Sequence, residues 1–141
     1  MKTSYLNTSL FILIVVLFIS CSKSSDSGSE TNNSSNTTTD TWVKLTATTS
    51  TGVVKPNYII MMFDQPVTGT AALPPILKQV VTDGNGLAYF DLNSMITTST
   101  PTKYYFEAFV QNGANYEWKS ITNFNTNIAK GTMVTSSIIV N

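Results

Sequence analysis

Few side chains in this sequence could carry chemistry. Among its 141 residues are eight lysines, eight aspartates or glutamates, one cysteine, and no histidine or arginine. Without histidine there is no imidazole base, no Ser-His or Cys-His nucleophile and no histidine-ligated metal. Without arginine, bidentate recognition of phosphate and guanine is lost. The composition restricts any catalysis to carboxylates, lysine, serine and tyrosine.

The acidic residues after position 41 lie in separate segments: Asp64, Asp83, Asp91, Glu107 and Glu117. Carboxylate-only glycoside hydrolysis needs two carboxyl groups facing one cleft at about 5 to 9.5 Å, and nothing in this spacing predicts such a pair. Asp83 and Asn85 could begin a calcium loop, but the twelfth position is Ser94 instead of a bidentate glutamate. We predict no catalytic residue, no metal site and no cofactor. The formal net charge of zero also predicts no nucleic-acid partner.

The single cysteine, Cys21, follows an uncharged apolar run over residues 10–19. As a helix this run would be about 15 Å long, half of the roughly 30 Å hydrocarbon core of a bilayer. With Lys2 before it, the run is typical of a signal peptide covering residues 1–20.

The junction Phe18-Ile19-Ser20-Cys21 resembles the lipobox of bacterial lipoproteins, which prefers leucine where this chain has Phe18. The resemblance implies a lipoprotein in which Cys21 is acylated and becomes the first residue of the mature chain. The partner is then the membrane, reached through acylated Cys21. The expected location is the cell envelope, with the outer membrane favoured over the inner. The alternative is an ordinary secretory signal with an incidental cysteine.

Residues 22–40 contain fourteen Ser, Thr or Asn and no apolar side chain. Such a segment cannot bury a core. We predict that residues 21–41 comprise the lipidated cysteine and a flexible linker, with a root-mean-square span of about 25 Å.

Residues 42–141 hold twelve of the fifteen aromatic residues and are predicted to form the folded domain. Short β-branched and aromatic runs alternate with turn residues, which is typical of strands. We predict an all-β, seven-stranded Greek-key sandwich with hairpin turns at residues 83–86 and 112–115. The predicted strands are 42–48, 58–63, 76–82, 87–92, 103–111, 116–124 and 132–140.

The segment from Thr82 to Phe90, with Pro74-Pro75 before it and Tyr104-Tyr105-Phe106 after it, resembles the signature of transthyretin-like sandwiches. This group includes the carboxypeptidase regulatory-like domains, and the likeness spans residues 53–110. It implies a non-catalytic module with a transthyretin-like or immunoglobulin-like fold. The activities of hormone-binding and hydrolase relatives are not carried over, because this chain has neither histidine nor arginine.

Alternation places Phe90, Phe106 and Val110 in the core and Glu107 outside. The register of the next hairpin decides whether its aromatic residues are buried or exposed. A four-residue loop would gather Tyr105, Phe109, Tyr116 and Trp118 into an exposed ligand-binding patch beside Glu107. A three-residue or five-residue loop would bury Tyr116 and Trp118, and the polar residues that flank Trp118 favour this inward placement.

The sequence therefore predicts a lipid-anchored binding or structural module of the envelope, not an enzyme. Its partner would be another envelope protein or a glycan. The alternatives are a carbohydrate or peptide binder that uses the aromatic patch, and a carboxylate-dependent hydrolase. An internal Lys-Asn crosslink assisted by a carboxylate, using Lys44, Asn141 and Glu107, is a further and more remote possibility.

Overall fold

The computed structural model describes residues 40–69 and 72–141, and within them the fold is all-β, with eight strands and no helix. Runs rich in valine, isoleucine and aromatic residues form the strands, and Gly, Asn, Asp and Pro occupy the connections. The strands are β1 (Trp42–Thr48), β2 (Ile59–Phe63), β3 (Lys78–Val81), β4 (Leu87–Asp91), β5 (Thr102–Asn112), β6 (Asn115–Trp118), β7 (Phe124–Ile128) and β8 (Met133–Ile139).

The strands form two sheets. The three-stranded sheet has the order β4-β1-β8, in which β1 and β8 are parallel. The five-stranded sheet has the order β3-β2-β5-β6, and β7 also pairs with β5. β6 pairs with the C-terminal half of β5, and β7 pairs with its N-terminal half. The eleven-residue strand β5 thus holds three neighbours in place.

One buried cluster contains residues from both sheets, so their inner faces share a core. Leu45 and Phe90 from the three-stranded sheet and Ile60 and Phe106 from the five-stranded sheet belong to it. The rings of Phe90 and Phe106 meet edge to face with centroids 5.3 Å apart, a favourable aromatic geometry. The predicted burial of both phenylalanines is confirmed. The prediction for Val110 is wrong, because that residue is only partly buried.

The prediction of seven strands is also wrong. The sixth predicted strand, 116–124, ends at Trp118, and a further strand, β7, begins at Phe124 and continues to Ile128. The chain leaves β5 after Trp118, where the backbone N–H of Lys119 still donates to the carbonyl of Ala108. It then approaches the three-stranded sheet, with the N–H of Ile121 donating to the carbonyl of Ile139. It returns at Phe124 to pair with the other half of β5.

Of the two predicted hairpin turns, one is confirmed. Residues 112–115 join β5 to β6, which are antiparallel neighbours. Residues 83–86 do not form a hairpin, because β3 pairs with β2 while β4 pairs with β1. This turn passes from one sheet to the other, and Oδ1 of Asp83 accepts hydrogen bonds from the backbone N–H groups of Asn85 and Leu87.

The predicted signal peptide, the lipidated Cys21 and the linker up to residue 39 lie outside the described residues. In the part of the chain that the structure describes, no helix is long and apolar enough to cross a membrane.

Candidate functional site

The register of β5 and β6 brings the four predicted ligand-binding residues to one face. Gln111 pairs with Tyr116, and Phe109 pairs with Trp118. Residues opposite each other on paired strands share a face, so Tyr116 and Trp118 lie on the outer face of the sheet with Tyr105 and Phe109. The favoured inward placement is wrong. Tyr116 and Trp118 face outward because the turn between β5 and β6 is tight. Gly113 makes this turn possible by adopting a positive φ of 63°.

This aromatic face is largely covered. Phe109 is 1% exposed, Tyr105 and Trp118 are partly buried, and Tyr116 is 39% exposed. Phe109 packs in a second apolar cluster with residues of β2 and of the chain that follows it. The other buried members of this cluster are Ile59, Met61, Phe63 and Val67. The aromatic patch of the alternative hairpin register is therefore not open: it is a second small core with Tyr116 at its edge.

The cover comes from the connection between β2 and β3, which lies between two of the predicted strands. Val67 in this connection is 5% exposed. A Cβ placed on Gly69 would lie 3.6 Å from the ring of Trp118, so the chain passes close to the indole. A signal for this burial exists in the sequence. Ile59–Phe63 is an unbroken apolar run, and such a strand is typically buried on both faces.

Glu107 lies in the middle of this covered face and is 1% exposed. The indole Nε1 of Trp118 donates a hydrogen bond of 3.0 Å to its Oε2. Oε1 has no hydrogen-bond partner among the described residues. Alternation correctly assigns Glu107 to the outer face of the sheet, but the second cluster covers this face, so Glu107 is buried.

Burial raises the pKa of the Glu107 carboxyl, because desolvation penalises its charged form. Contacts with the Ser120 hydroxyl and the Trp118 indole act in the opposite direction and limit the rise. The site thus holds one carboxyl group whose neutral form is more favoured than that of an ordinary glutamate, inside an apolar shell. A carboxyl of this kind could act as a general acid only if substrate reached it.

Three other acidic residues form hydrogen bonds or ion pairs with groups that are close to them in sequence. Oδ1 of Asp83 caps its own turn, and Oδ1 of Asp91 accepts hydrogen bonds from Asn93. Glu117 forms an ion pair with Lys119 on the surface. Over residues 40–69 and 72–141, no group of three or more acidic, cysteine or histidine side chains could hold a metal ion.

The residues of the considered crosslink are not brought together. Lys44 alternates with the core residues Val43 and Leu45, so it lies on the outer face of the three-stranded sheet. Glu107 lies on the outer face of the other sheet, and the shared core separates them. Attack of the Lys44 amine on an amide activated by Glu107 therefore has no geometric support.

Comparison with known proteins assigns no relationship. No protein-family model matches the chain, and a search of curated proteins finds no match.

Proposed function

We propose that this protein is a lipid-anchored, non-catalytic binding or structural module of the cell envelope. The observation that carries the proposal is the use of the domain's carboxylates. Asp83 and Asp91 cap turns, Glu117 pairs with Lys119, and Glu107 is enclosed in an apolar cluster. Four of the five domain acids therefore support the fold, and Asp64, the fifth, is exposed after β2. This use of the carboxylates favours a non-catalytic role over carboxylate catalysis.

The proposed architecture is a Greek-key β-sandwich of the transthyretin-like or immunoglobulin-like kind. Four of the seven connections pass between the sheets: β1 to β2, β3 to β4, β4 to β5, and β7 to β8. The parallel pairing of β1 with β8 brings the first and last strands side by side. Such crossing connections are typical of sandwiches and support this part of the proposal.

The anchor is tested at Cys21. In the proposed lipoprotein, Cys21→Ser yields either an unprocessed precursor or a soluble chain, whereas the neighbouring Ser22→Ala remains processed and membrane-bound. Fractionation shows the location, and intact mass shows whether acyl chains are attached. A Cys21→Ser protein that is still processed and still sediments with membranes would overturn the anchor.

The absence of turnover is tested on the purified protein with a panel of hydrolase substrates. We expect no reproducible activity. Amide variants of the five domain acids provide the decisive control, because an activity that disappears in one of them would show carboxylate catalysis. That result would favour the hydrolase alternative.

A second candidate function is binding of a carbohydrate or peptide at the aromatic face of the five-stranded sheet. The observation that favours it is Tyr116, whose ring is 39% exposed and meets the buried Phe109 edge to face at 6.4 Å. Glycan-array and peptide-array binding should then be lost in Tyr116→Ala and weakened in Trp118→Ala. Tyr89→Ala, on the other sheet, is the matched control.

A further inference from the structure

A second aromatic surface lies on the outer face of the three-stranded sheet. Trp42 and Lys44 of β1 lie on this face, flanked by Tyr89 of β4 and Met133 of β8. The register pairs Trp42 with Met133 and Lys44 with Tyr89. Tyr89 is 46% exposed and Met133 is 57% exposed. We call these four residues the Trp42 face.

The Trp42 face is held together by contacts across the strands. The rings of Trp42 and Tyr89 are tilted by 42°, with centroids 6.2 Å apart. The ammonium group of Lys44 lies 4.5 Å from the Trp42 ring centre and 5.5 Å from that of Tyr89. These are cation-π distances. The surface is therefore an ordered cluster of two aromatic rings with the ammonium group of Lys44 beside them.

The Trp42 face lies at the end of the sheet where the chain enters from residue 40. Thr41 is fixed there because its N–H donates to Oδ1 of Asn93 and its hydroxyl accepts from the N–H of Gly131. Trp42 is the next residue, and Met133 is its partner. The segment that leads back to Cys21 therefore joins the domain beside the partly buried Trp42 and the exposed Met133.

We propose that the Trp42 face docks on the lipid headgroup layer of the membrane that anchors Cys21. The inference rests on the proposed lipid anchor. Trp and Tyr combine an apolar ring with a polar tip, and this combination favours the boundary between headgroups and acyl chains. Met133 supplies a flexible apolar side chain, and the stem of Lys44 lies along the rings while its ammonium group reaches phosphate.

The geometry favours lipid over a glycan. Tilted rings with an ammonium group beside them do not form the flat platform on which a sugar chain would stack. Lys44 and Asp91, which pairs across from Trp42, carry opposite charges, and the ammonium group of Lys78 also lies beside Asp91, where it donates to the backbone carbonyl. With two ammonium groups and one carboxylate the surface has a net charge of only +1, so zwitterionic headgroups suffice and we expect docking to depend weakly on salt.

The anchor also lowers the affinity that docking requires. A domain linked to the bilayer meets it at an effective concentration set by the linker, so the encounter is intramolecular. An apolar cluster that is too small to bring an unanchored domain to vesicles is then sufficient to hold the anchored domain against the bilayer.

The two tryptophans of the chain allow a direct test. The acylated full-length protein is reconstituted in phosphatidylcholine and phosphatidylethanolamine vesicles with brominated acyl chains, which quench nearby indoles. Trp118→Phe leaves Trp42 as the reporter, and Trp42→Phe leaves Trp118. We expect severalfold stronger quenching of Trp42 than of Trp118. If Trp118→Phe does not fold, the quenching of Trp42 is obtained by subtracting the fluorescence signal of Trp42→Phe from that of the parent protein.

Further variants test the face itself. Tyr89→Ser and Met133→Ser should each reduce the quenching of Trp42. Ile121→Ser, which removes an apolar side chain that is 56% exposed outside the Trp42 face, should not.

The outcomes separate the two proposals. A protein that fails to remain with vesicles contradicts the anchor. A protein that remains with vesicles while its Trp42 is not quenched overturns docking and leaves the anchor intact. A Trp42 emission that responds to envelope glycan fragments and not to brominated lipid also overturns docking, in favour of glycan binding.

Discussion

The indole of Trp118 on β6 donates a 3.0 Å hydrogen bond to the Glu107 carboxyl on β5. Both groups lie on the covered outer face of the five-stranded sheet, among apolar side chains. A carboxyl group with one hydrogen bond to Oε2 and a buried, unpaired Oε1 in the described part of the chain is poorly solvated. Its protonation should therefore affect the stability of this face.

The first prediction concerns Glu107→Gln. Burial raises the pKa of Glu107 in the folded protein, so the folded state keeps the proton at pH values where the unfolded chain has released it. The free energy of unfolding of the parent therefore falls as the pH rises from the ordinary value of 4.5 through the raised one. Glutamine accepts the Trp118 hydrogen bond and does not titrate. The free energy of unfolding of the variant therefore lacks this fall with rising pH.

Urea unfolding at several pH values measures this effect. The stability of Glu107→Gln relative to the parent should increase between about pH 4 and about pH 8. Contributions of the other acids cancel in the difference. Glu117→Gln, which removes an exposed carboxylate, is the control and should give no comparable increase. A relative stability of Glu107→Gln that stays constant with pH would contradict the raised pKa.

The main core was predictable from the sequence because alternation is a local property. Phe90 and Phe106 occupy clean alternating patterns, and both face the core. The covering of Glu107 was not predictable in this way. It depends on the register of the β5–β6 hairpin and on Val67, which comes from a distant part of the chain. Single-strand alternation assigns a face but does not reveal what lies above it.

The break in the sixth predicted strand has a similar origin. Residues 116–124 contain no proline or glycine that would end a strand. The chain departs there because Lys119 and Ser120 bond to Ala108, while Ile121 bonds to the other sheet. These partners are distant in sequence, so local secondary-structure propensity does not reveal them.

A second prediction concerns Gly86 in the turn between the two sheets. Its φ is +72°, and an added Cβ would lie 2.9 Å from the carbonyl oxygen of Ala47. Gly86→Ala therefore combines a left-handed backbone with a collision against backbone atoms. Gly113→Ala is the matched control, because its φ is +63° and nothing lies within 4 Å of the added Cβ.

We expect Gly113→Ala to cost about 1 to 2 kcal/mol for the backbone alone. Gly86→Ala should cost clearly more, as measured by the midpoint and slope of urea unfolding. Equal costs for the two variants would mean that the close approach of β1 to this turn is absent in solution.

The third prediction tests the main core. Phe90 is fully buried and meets the ring of Phe106, whereas its neighbour Tyr89 is 46% exposed on the opposite face. Phe90→Ala should cost about 3 to 5 kcal/mol in unfolding free energy. Tyr89→Ala should cost about 1 kcal/mol or less. Similar costs for both, or a circular dichroism spectrum with substantial helix, would contradict the described packing.

The last prediction concerns Ser120, where the chain leaves the five-stranded sheet. Its Oγ accepts a 2.7 Å hydrogen bond from the backbone N–H of Ala108, a residue that is fully buried. In Ser120→Ala this N–H loses its partner, which should cost about 1 to 3 kcal/mol. Hydrogen exchange at the Ala108 amide should also become faster, because the bond that protects it is gone. Ser137→Ala, an exposed position on β8, is the control and should change neither quantity appreciably. If Ala108 exchanges at the parent rate in Ser120→Ala, another group must satisfy its N–H, and the separation of β6 from β7 would need a different cause.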